Sequence, residues 1–375
     1  MTNNAQIQVS PSLWALAWRR LRADKVAMGS MAVVIAFLLM LVASATGLIA
    51  SDWEAEVAVN YAPPTFVGPQ TAAERGVTES NTEAEEVPEN PLDPLKDVIR
   101  ELRAQTSPAA SGAIAENVDM YGVTDPLAKE MAEVRAELAK DGKQANVKRA
   151  ETLPFGADKW GHDIIKKTIK GSETSIVVGL AAALFATVLG TLFGALSGYY
   201  GGKIDDFFNW FYSIFTSIPS ILMILAVAAV LQKKGVMTIV LILGLTGWTG
   251  AYRLIRAEYM KHKAREYVMA ADAIGASDMS KMFGHIFPNV SHVALVQMSI
   301  LVVGFIKAEV ILSFLGFGVP VGTVSWGSML NEAQNELILG KWWQLVAATS
   351  AMAVLVTAFS LFTDSLRDAL DPKLK

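Results

Sequence analysis

An all-α polytopic membrane protein with six transmembrane helices is the fold class this sequence predicts, and three observations predict it. Of 375 residues, 52% are hydrophobic and 18% charged, whereas soluble domains carry about 25% charged residues. Six segments approach the ~20 apolar residues that a helix rising ~1.5 Å per residue needs to cross a bilayer. Lys and Arg cluster in alternate connections between these segments, which is the pattern of cytoplasmic loops.

The segments are taken in order. Residues 1–25 form a cytoplasmic leader and residues 26–50 the first transmembrane helix. Arg19, Arg20, Arg22 and Lys25 precede that run, and Ala43-Ser44-Ala45 follows the pattern of a small-residue cleavage site. A cleaved signal peptide is therefore the rival reading, although both the apolar run and its leader are long for one. Residues 51–152 are an acidic insert, partly disordered or helical. Residues 51–155 hold 20 acidic and 10 basic side chains, a composition that buries little apolar surface. Residues 95–105 and 125–140 are helical in pattern; the second has Leu127, Met131, Val134 and Leu138 at helical spacing behind Asp125-Pro126. Two readings of the insert stand open, a periplasmic docking or gating element and a solvated spacer. Residues 153–375 form the core domain, with five further spans at 174–196, 207–231, 236–251, 293–314 and 345–362.

An inside N-terminus with six spans puts three basic groups on the cytoplasmic side. These are the leader, the six residues Arg253, Arg256, Lys261, Lys263, Arg265 and Lys281, and Arg367, Lys373 and Lys375 of the tail. Lys166, Lys167, Lys170, Lys233 and Lys234 then lie outside, against the trend. Cysteine is absent, and His162, His262, His285 and His292 lack metal-ligand spacing. Neither Gly202-Lys203 nor Gly340-Lys341 belongs to a phosphate-binding P-loop, so no means of hydrolysing ATP is legible in the chain. The net charge of −4 gives no reason to invoke nucleic acid.

The most informative connection is the loop 264–289. Its pattern predicts helix, turn, helix: Tyr267, Ala270, Ala271 and Ile274 on one face of the first helix, Gly275 ending it in the left-handed conformation, Ser277 capping the second, Asp278 at its positive end, and Pro288 stopping it. Small alanines on a short helix allow close approach to a partner surface.

The loop resembles the EAA loop of ABC importer permeases, which has Glu-Ala-Ala, three residues, Gly, and further on Ile and Leu before a Pro. Ala270, Ala271, Gly275, Ile286 and Pro288 carry the resemblance. Met269 stands where the family often has Glu, and Phe287 replaces Leu. More of the chain is similar to the C-type permease of dipeptide and oligopeptide (and nickel) importers. Residues 155–163 (Phe-Gly-Ala-Asp-Lys-Trp-Gly-His-Asp) resemble that subfamily's Gly-Thr-Asp-x-x-Gly-Arg-Asp signature, with Ala157 and His162 departing from it. Residues 198–205, 308–318, 326–330 and 364–373 resemble its short cytoplasmic turn, fifth span, last external loop and C-terminus. The resemblance implies a permease subunit of the bacterial inner membrane with both termini cytoplasmic. It implies partnership with a second permease, two ATP-binding subunits that use ATP and Mg, and a periplasmic solute-binding protein. This chain would be no enzyme and bind no cofactor. The substrate would be a peptide or, alternatively, nickel or another small solute. Tyr267, Ala270, Ala271, Ile274, Gly275, Ile286 and Pro288 would couple it to the ATPases.

Gly190, Gly194 and Gly198 repeat at four-residue spacing on one helix face. In lipid this spacing lets helices approach closely, either along a translocation pathway or in static packing. Pro219 falls inside a span and should kink it, as a gate hinge or as a fit to the bundle. Lys307 and Glu309 are the charges deep in a span. Two residues apart, they do not share a face; Glu309 is expected to face the external vestibule and Lys307 to snorkel. From other classes, a secondary transporter would show inverted repeats and midplane ion-binding charges, and a membrane-anchored interaction protein would act through the acidic insert while leaving the loop at Gly275 unexplained.

Overall fold

The computed structural model describes residues 13–69, 149–231, 233–320 and 322–370. All but Arg149 belong to one of the two units into which the chain divides, residues 1–69 with 150–375. The helices expected at 95–105 and 125–140 lie outside the described residues.

The elements are helical throughout: α1 (Leu13–Ala23), α2 (Lys25–Ala45), α3 (Ile164–Tyr200), α4 (Gly202–Thr216), α5 (Ser220–Leu231), α6 (Val236–Thr246), α7 (Thr249–Lys263), α8 (Glu266–Ala273), a π-helical segment (Ser280–Ile286) that runs into α9 (Phe287–Phe314), α10 (Trp326–Ile338) and α11 (Trp343–Leu370). Four helices are long and apolar enough to cross a membrane: α2, α3, α9 with its π segment, and α11. Two pairs pass that test only together, α4 with α5, bent by 87°, and α6 with α7, bent by 42°. Counting each pair as one span brings the number to six.

Pro219 does not kink a continuous helix. The chain leaves α4 at Thr216 and starts α5 at Ser220. Pro219 has no N–H to donate back into α4, and its carbonyl accepts from the Leu222 and Met223 N–H groups at 2.9 and 3.1 Å. It therefore opens the second helix.

The central element is α3. At 37 residues it is ~55 Å long, well beyond the ~30 Å hydrocarbon layer. Its first turns, with Lys166, Lys167, Lys170 and Glu173, extend past the apolar window. Ile176, Ala183, Ile239, Leu243, Val302 and Ile306 form the main core where α3 meets α6 and α9. Further along, the glycine stripe of α3 faces α7. A Cβ at Gly190 would lie 2.6 Å from the Trp248 carbonyl oxygen, one at Gly194 2.8 Å from that of Tyr252, and one at Gly198 2.6 Å from that of Arg256. Backbone rests on backbone over three successive turns. Trp248 is buried beside this seam, stacked on Phe211 at 5.4 Å and edge-on to Phe193 at 5.2 Å.

At the start of α3 two extended stretches close the bundle. Val59 N–H donates to the Ala150 carbonyl at 3.0 Å and Thr65 N–H to that of Leu153 at 2.8 Å. The 155–163 segment turns around Asp158, which accepts from the Trp160 and His162 N–H groups at 2.8 and 3.0 Å and from Lys167 Nζ at 2.7 Å. Asp163 then caps α3 through the Ile165 N–H at 2.8 Å. Lys167, itself buried, also donates to Glu332 at 2.6 Å and Gln344 at 3.3 Å. Glu336, one turn along α10 from Glu332, is buried, and neither carboxylate oxygen has a hydrogen-bond partner among the described residues. Burial, reinforced by Asp158 and Glu332 and opposed by Lys167, pushes its pKa up to about 7.

Two predictions follow from this packing. Gly194→Val forces a side chain into the α7 backbone, at a cost of about 1–3 kcal/mol or more, and should lower the thermal unfolding midpoint in detergent. Gly304→Ala, where a Cβ meets nothing within 4 Å, should leave it unchanged. For Glu336, the unfolded carboxyl titrates near about 4.3 and the folded one at about 7. The folded state thus binds the extra proton in that window, and stability falls as pH rises through it. Glu336→Gln removes the slope. Its melting advantage over the wild type should widen between pH 5 and pH 8, and a gap independent of pH would contradict the assignment.

Candidate functional site

The loop between α7 and α9 is built on a second core. Ala195 and Tyr199 of α3, Ile255 and Tyr259 of α7, Val268 of α8, Met282 and Ile286 of the π segment, and Val290 of α9 are buried together. This core exists because α7 extends beyond the glycine seam and presents Ile255 and Tyr259 one turn apart toward the end of α3. Tyr259 OH donates to the Met282 carbonyl at 3.2 Å, which fixes the π segment against α7.

The local geometry of the loop follows its sequence. α8 ends in a Schellman motif: Gly275 has φ +82°, its N–H donates to the Asp272 carbonyl at 2.9 Å, and the Ala276 N–H reaches the Ala271 carbonyl at 3.0 Å. Ser277 Oγ accepts from the Ser280 N–H at 3.3 Å, as a cap should. Pro288 does not end the second helix. The segment from Ser280 is π-wound, its last bond running from the Phe287 N–H back five residues to the Met282 carbonyl. Pro288 then sits in the first turn of α9, where a missing N–H costs least. The proline marks a change of winding within one continuous helix.

The face expected on α8 is divided. Tyr267, Ala270, Ile274 and Gly275 are exposed, whereas Ala271 is buried with Val268. With eight residues, α8 has room for one inward face, and Val268 and Ala271, three apart, occupy it. Ile274 is 84% exposed. Met269, Met279, Phe283 and Tyr267 are exposed large apolar side chains beside it in the chain. Ile286 is fully buried and anchors the loop from below. The loop therefore has an apolar, uncovered crown and a packed underside.

Polar groups missed from the sequence tie the underside together. Arg256 Nε and Nη2 donate to the two oxygens of Asp205, both at 2.6 Å, and Ser197 Oγ donates to the same carboxylate. This bidentate clamp joins α3, α4 and α7, and it gives the aspartate at the end of the 198–205 turn a structural reason. Lys281 Nζ donates to Asp272 at 2.5 Å and pairs with Asp278 at 3.1 Å. Tyr199 OH donates to Asp278 at 2.8 Å, and Lys263 Nζ to the Tyr199 carbonyl at 2.6 Å. The Tyr199 hydroxyl and the Lys281 ammonium hold the Asp278 carboxyl below its ordinary range. In sequence Arg256, Lys263 and Lys281 registered only as cytoplasmic charges; the Arg256–Asp205 pair spans 51 residues, and the pairs of Lys281 with Asp272 and Asp278, though close in sequence, depend on how the turn between the two helices folds.

Glu309 does not face a vestibule. It is fully buried, accepting from Ser175 Oγ at 2.6 Å and Ser313 Oγ at 2.7 Å. Ser175 in turn accepts from the Trp326 N–H at 3.3 Å, so Glu309 joins α3, α9 and the start of α10. A buried carboxylate needs such partners, and the gap between helices supplies them. Lys307, two residues earlier, is exposed on another face. Among the described residues no three His, Cys, Asp or Glu side chains gather in a way that could hold a metal ion.

The chain matches two family descriptions in order. Residues 12–64 match the N-terminal transmembrane domain of oligopeptide transport permease C, and residues 190–375 match the inner membrane component of binding-protein-dependent transport systems. The dipeptide transport system permease protein DppC of Bacillus subtilis is 32% identical over 297 residues, which span 79% of this chain and 91% of that protein. The oligopeptide transport system permease protein OppC of the same organism is 34% identical over 59% of this chain and 72% of its own length. OppC of Escherichia coli is 37% identical over 58% and 72%. Among solved structures, an inward-facing MetNI methionine ABC transporter covers 55% of this chain and 96% of its own at 16% identity and a TM-score of 0.42, too slight a likeness to decide anything about the fold. The second matched region contains the glycine seam, the Asp205–Arg256 clamp and the whole α7–α9 loop, and with 32% identity over 91% of a dipeptide permease this chain belongs to the family of binding-protein-dependent transport system inner membrane components, ABC permeases of the Opp/Dpp C type.

Proposed function

We propose that this permease is one of two membrane subunits of an ATP-driven importer of dipeptides or oligopeptides in a bacterial inner membrane. The names of its relatives support the peptide class. In this reading it crosses the membrane six times, each bent pair counting as one span, and both termini and the α7–α9 loop are cytoplasmic. A second permease completes the pathway, a periplasmic binding protein delivers the peptide, and two partner subunits bind and hydrolyse ATP with Mg. This chain supplies no catalytic group and holds no cofactor.

The observation that carries the reading is the loop with its exposed crown and buried base. Ile274 stands 84% exposed at the end of a short helix, beside a glycine in the left-handed region. Together with the exposed Tyr267, Met269, Met279 and Phe283 beside it in the chain it makes an apolar surface that a groove on a partner subunit would cover. Tyr267, Ala270, Ile274 and Gly275 would make that contact. Ala271, Ile286 and Pro288 would hold the loop in place and pass movement on to α9. Gly190, Gly194 and Gly198 serve by packing α3 on α7, Pro219 by setting the α4–α5 turn, and Glu309 by tying α3 to α9 and α10, so their part in the pathway is indirect.

Uptake of a labelled tripeptide by cells lacking the chain should fall and be restored by the intact chain. Ile274→Asp should fail to restore it. A central interface residue of this kind is worth about 2 kcal/mol or more, roughly thirtyfold in affinity, so the ATPase subunits should no longer co-purify. Gly275→Trp should behave alike, because its φ of +82° strains any side chain. Unchanged uptake and co-purification with Ile274→Asp would exclude the loop as the docking element. Loss of nickel uptake, with peptide uptake intact, would overturn the substrate.

A further inference from the structure

Lys281 has a position that docking does not explain. It lies in the π segment beneath the crown, with its side chain 10% exposed. Its ammonium group bonds Asp272 at the end of α8 and Asp278 in the turn between them. Through Asp278 the bond network reaches Tyr199 OH, and through the Tyr199 carbonyl it reaches Lys263, at the end of α7. One cation therefore ties together the docking helix, the turn, the cytoplasmic end of α3 and the end of α7. These groups line a cavity of about 330 Å³ that Tyr200, Val268 and Met269 complete. The apolar half of the same joint, Val268, Met282 and Ile286, is small, and α8 contributes only Val268 and Ala271 to it. Two side chains do not hold an eight-residue helix rigidly against a load, and Ile274 stands at its C-terminal end, three residues past Ala271. Asp272 is the group that ties that end down.

We propose that Lys281 is a positioning residue for coupling: its pairs with Asp272 and Asp278 make the docking helix, α3 and α9 move as one body, so that displacement of the crown reaches the spans. The inference rests on the reading of the loop as the ATPase contact. Without Lys281, α8 stays folded and its crown stays presented, but it rocks on the Gly275 turn instead of carrying α9 with it. The π winding supports this placement, since such segments are less regular than α-helix and are found at functional sites, and Lys281 ties its first turn back to α8 and to the turn between them.

The test uses the complete transporter, purified and reconstituted in vesicles with its binding protein. Lys281→Met keeps the length and packing of the stem and leaves Met269, Ile274 and Met279 untouched. The ATPase subunits should co-purify in the wild-type ratio and basal ATP hydrolysis should stay within about twofold, while peptide taken up per ATP hydrolysed falls about tenfold, inside the 5–150-fold range of ordinary coupling energies. Lys281→Arg, which can still bridge both aspartates, should restore most of the ratio. Transport per ATP equal to wild type in Lys281→Met overturns the proposal and leaves the docking reading intact. Loss of co-purification in Lys281→Met, not rescued by Lys281→Arg, also overturns it, since the residue would then serve assembly. If the wild-type chain itself brings down no ATPase, it is the docking reading that has failed.

Discussion

The backbone-to-backbone seam between α3 and α7 is the constraint on which the rest of the structure depends. In a bilayer, lipid tails are as apolar as leucine, so two helices gain little by leaving lipid for each other unless their surfaces fit closely. Three glycines at four-residue spacing remove the side chains that would hold α3 and α7 apart, and the Trp248, Tyr252 and Arg256 carbonyls come within reach of α3. Because α3 is the longest helix among the described residues, fixing one neighbour along its C-terminal half sets where the others can go. α6, joined to α7 by a shallow bend, lies along its middle. α9 occupies the side left free.

The core beneath the α7–α9 loop is a consequence of the same seam. With α7 pinned to α3, Ile255 and Tyr259 emerge next to Ala195 and Tyr199, and the loop that follows has an apolar floor. A short connection can then fold in a defined shape without a large core of its own. Its inward positions are few, and its outward ones are more apolar than water alone would favour. Polar bonds supplement the floor: Asp205 with Arg256 beneath it, Lys281 with two aspartates across it. The aspartates of the second cluster stay partly solvated while the lysine is nearly buried, an arrangement that spares the full cost of burying both charges.

Opposite in character is the joint at the start of α3, where buried charge is dense. Lys167 meets Asp158 and Glu332, and Glu336 is left without a bond. Glu309 follows the same logic further along, with two serines in place of a cation. These groups hold the ends of α10 and α11 to α3 in a region where hydrophobic packing gives way to loops. Glu336 is buried without a cation or hydroxyl bonded to its carboxylate among the described residues, and burial is the largest influence on its protonation.

Much was legible in the residues taken singly or a few at a time. The apolar runs located the spans because length and hydrophobicity are local properties. The glycine stripe, the Gly275 stop and the Ser277 cap were readable because each depends on residues within one or two turns. The Gly275 loop could even be matched to a family. Other features were misread for one reason: the sequence shows what a residue is, and its partner lies far along the chain or on another helix. Glu309 looked like a vestibule charge because Ser175 is 134 residues distant. Pro288 looked like a stop because π winding is set by Tyr259 and the floor beneath Met282, while Pro219 looked like a kink because the size of a bend is decided by what the two halves pack against. The sequence by itself determined which segments are apolar enough to span and where a local signal such as Gly275 ends a helix. The tertiary structure decided which faces meet and which charges pair, since helix association in lipid is governed by shape and hydrogen bonding rather than by hydrophobicity, and shape is a property of two surfaces at once.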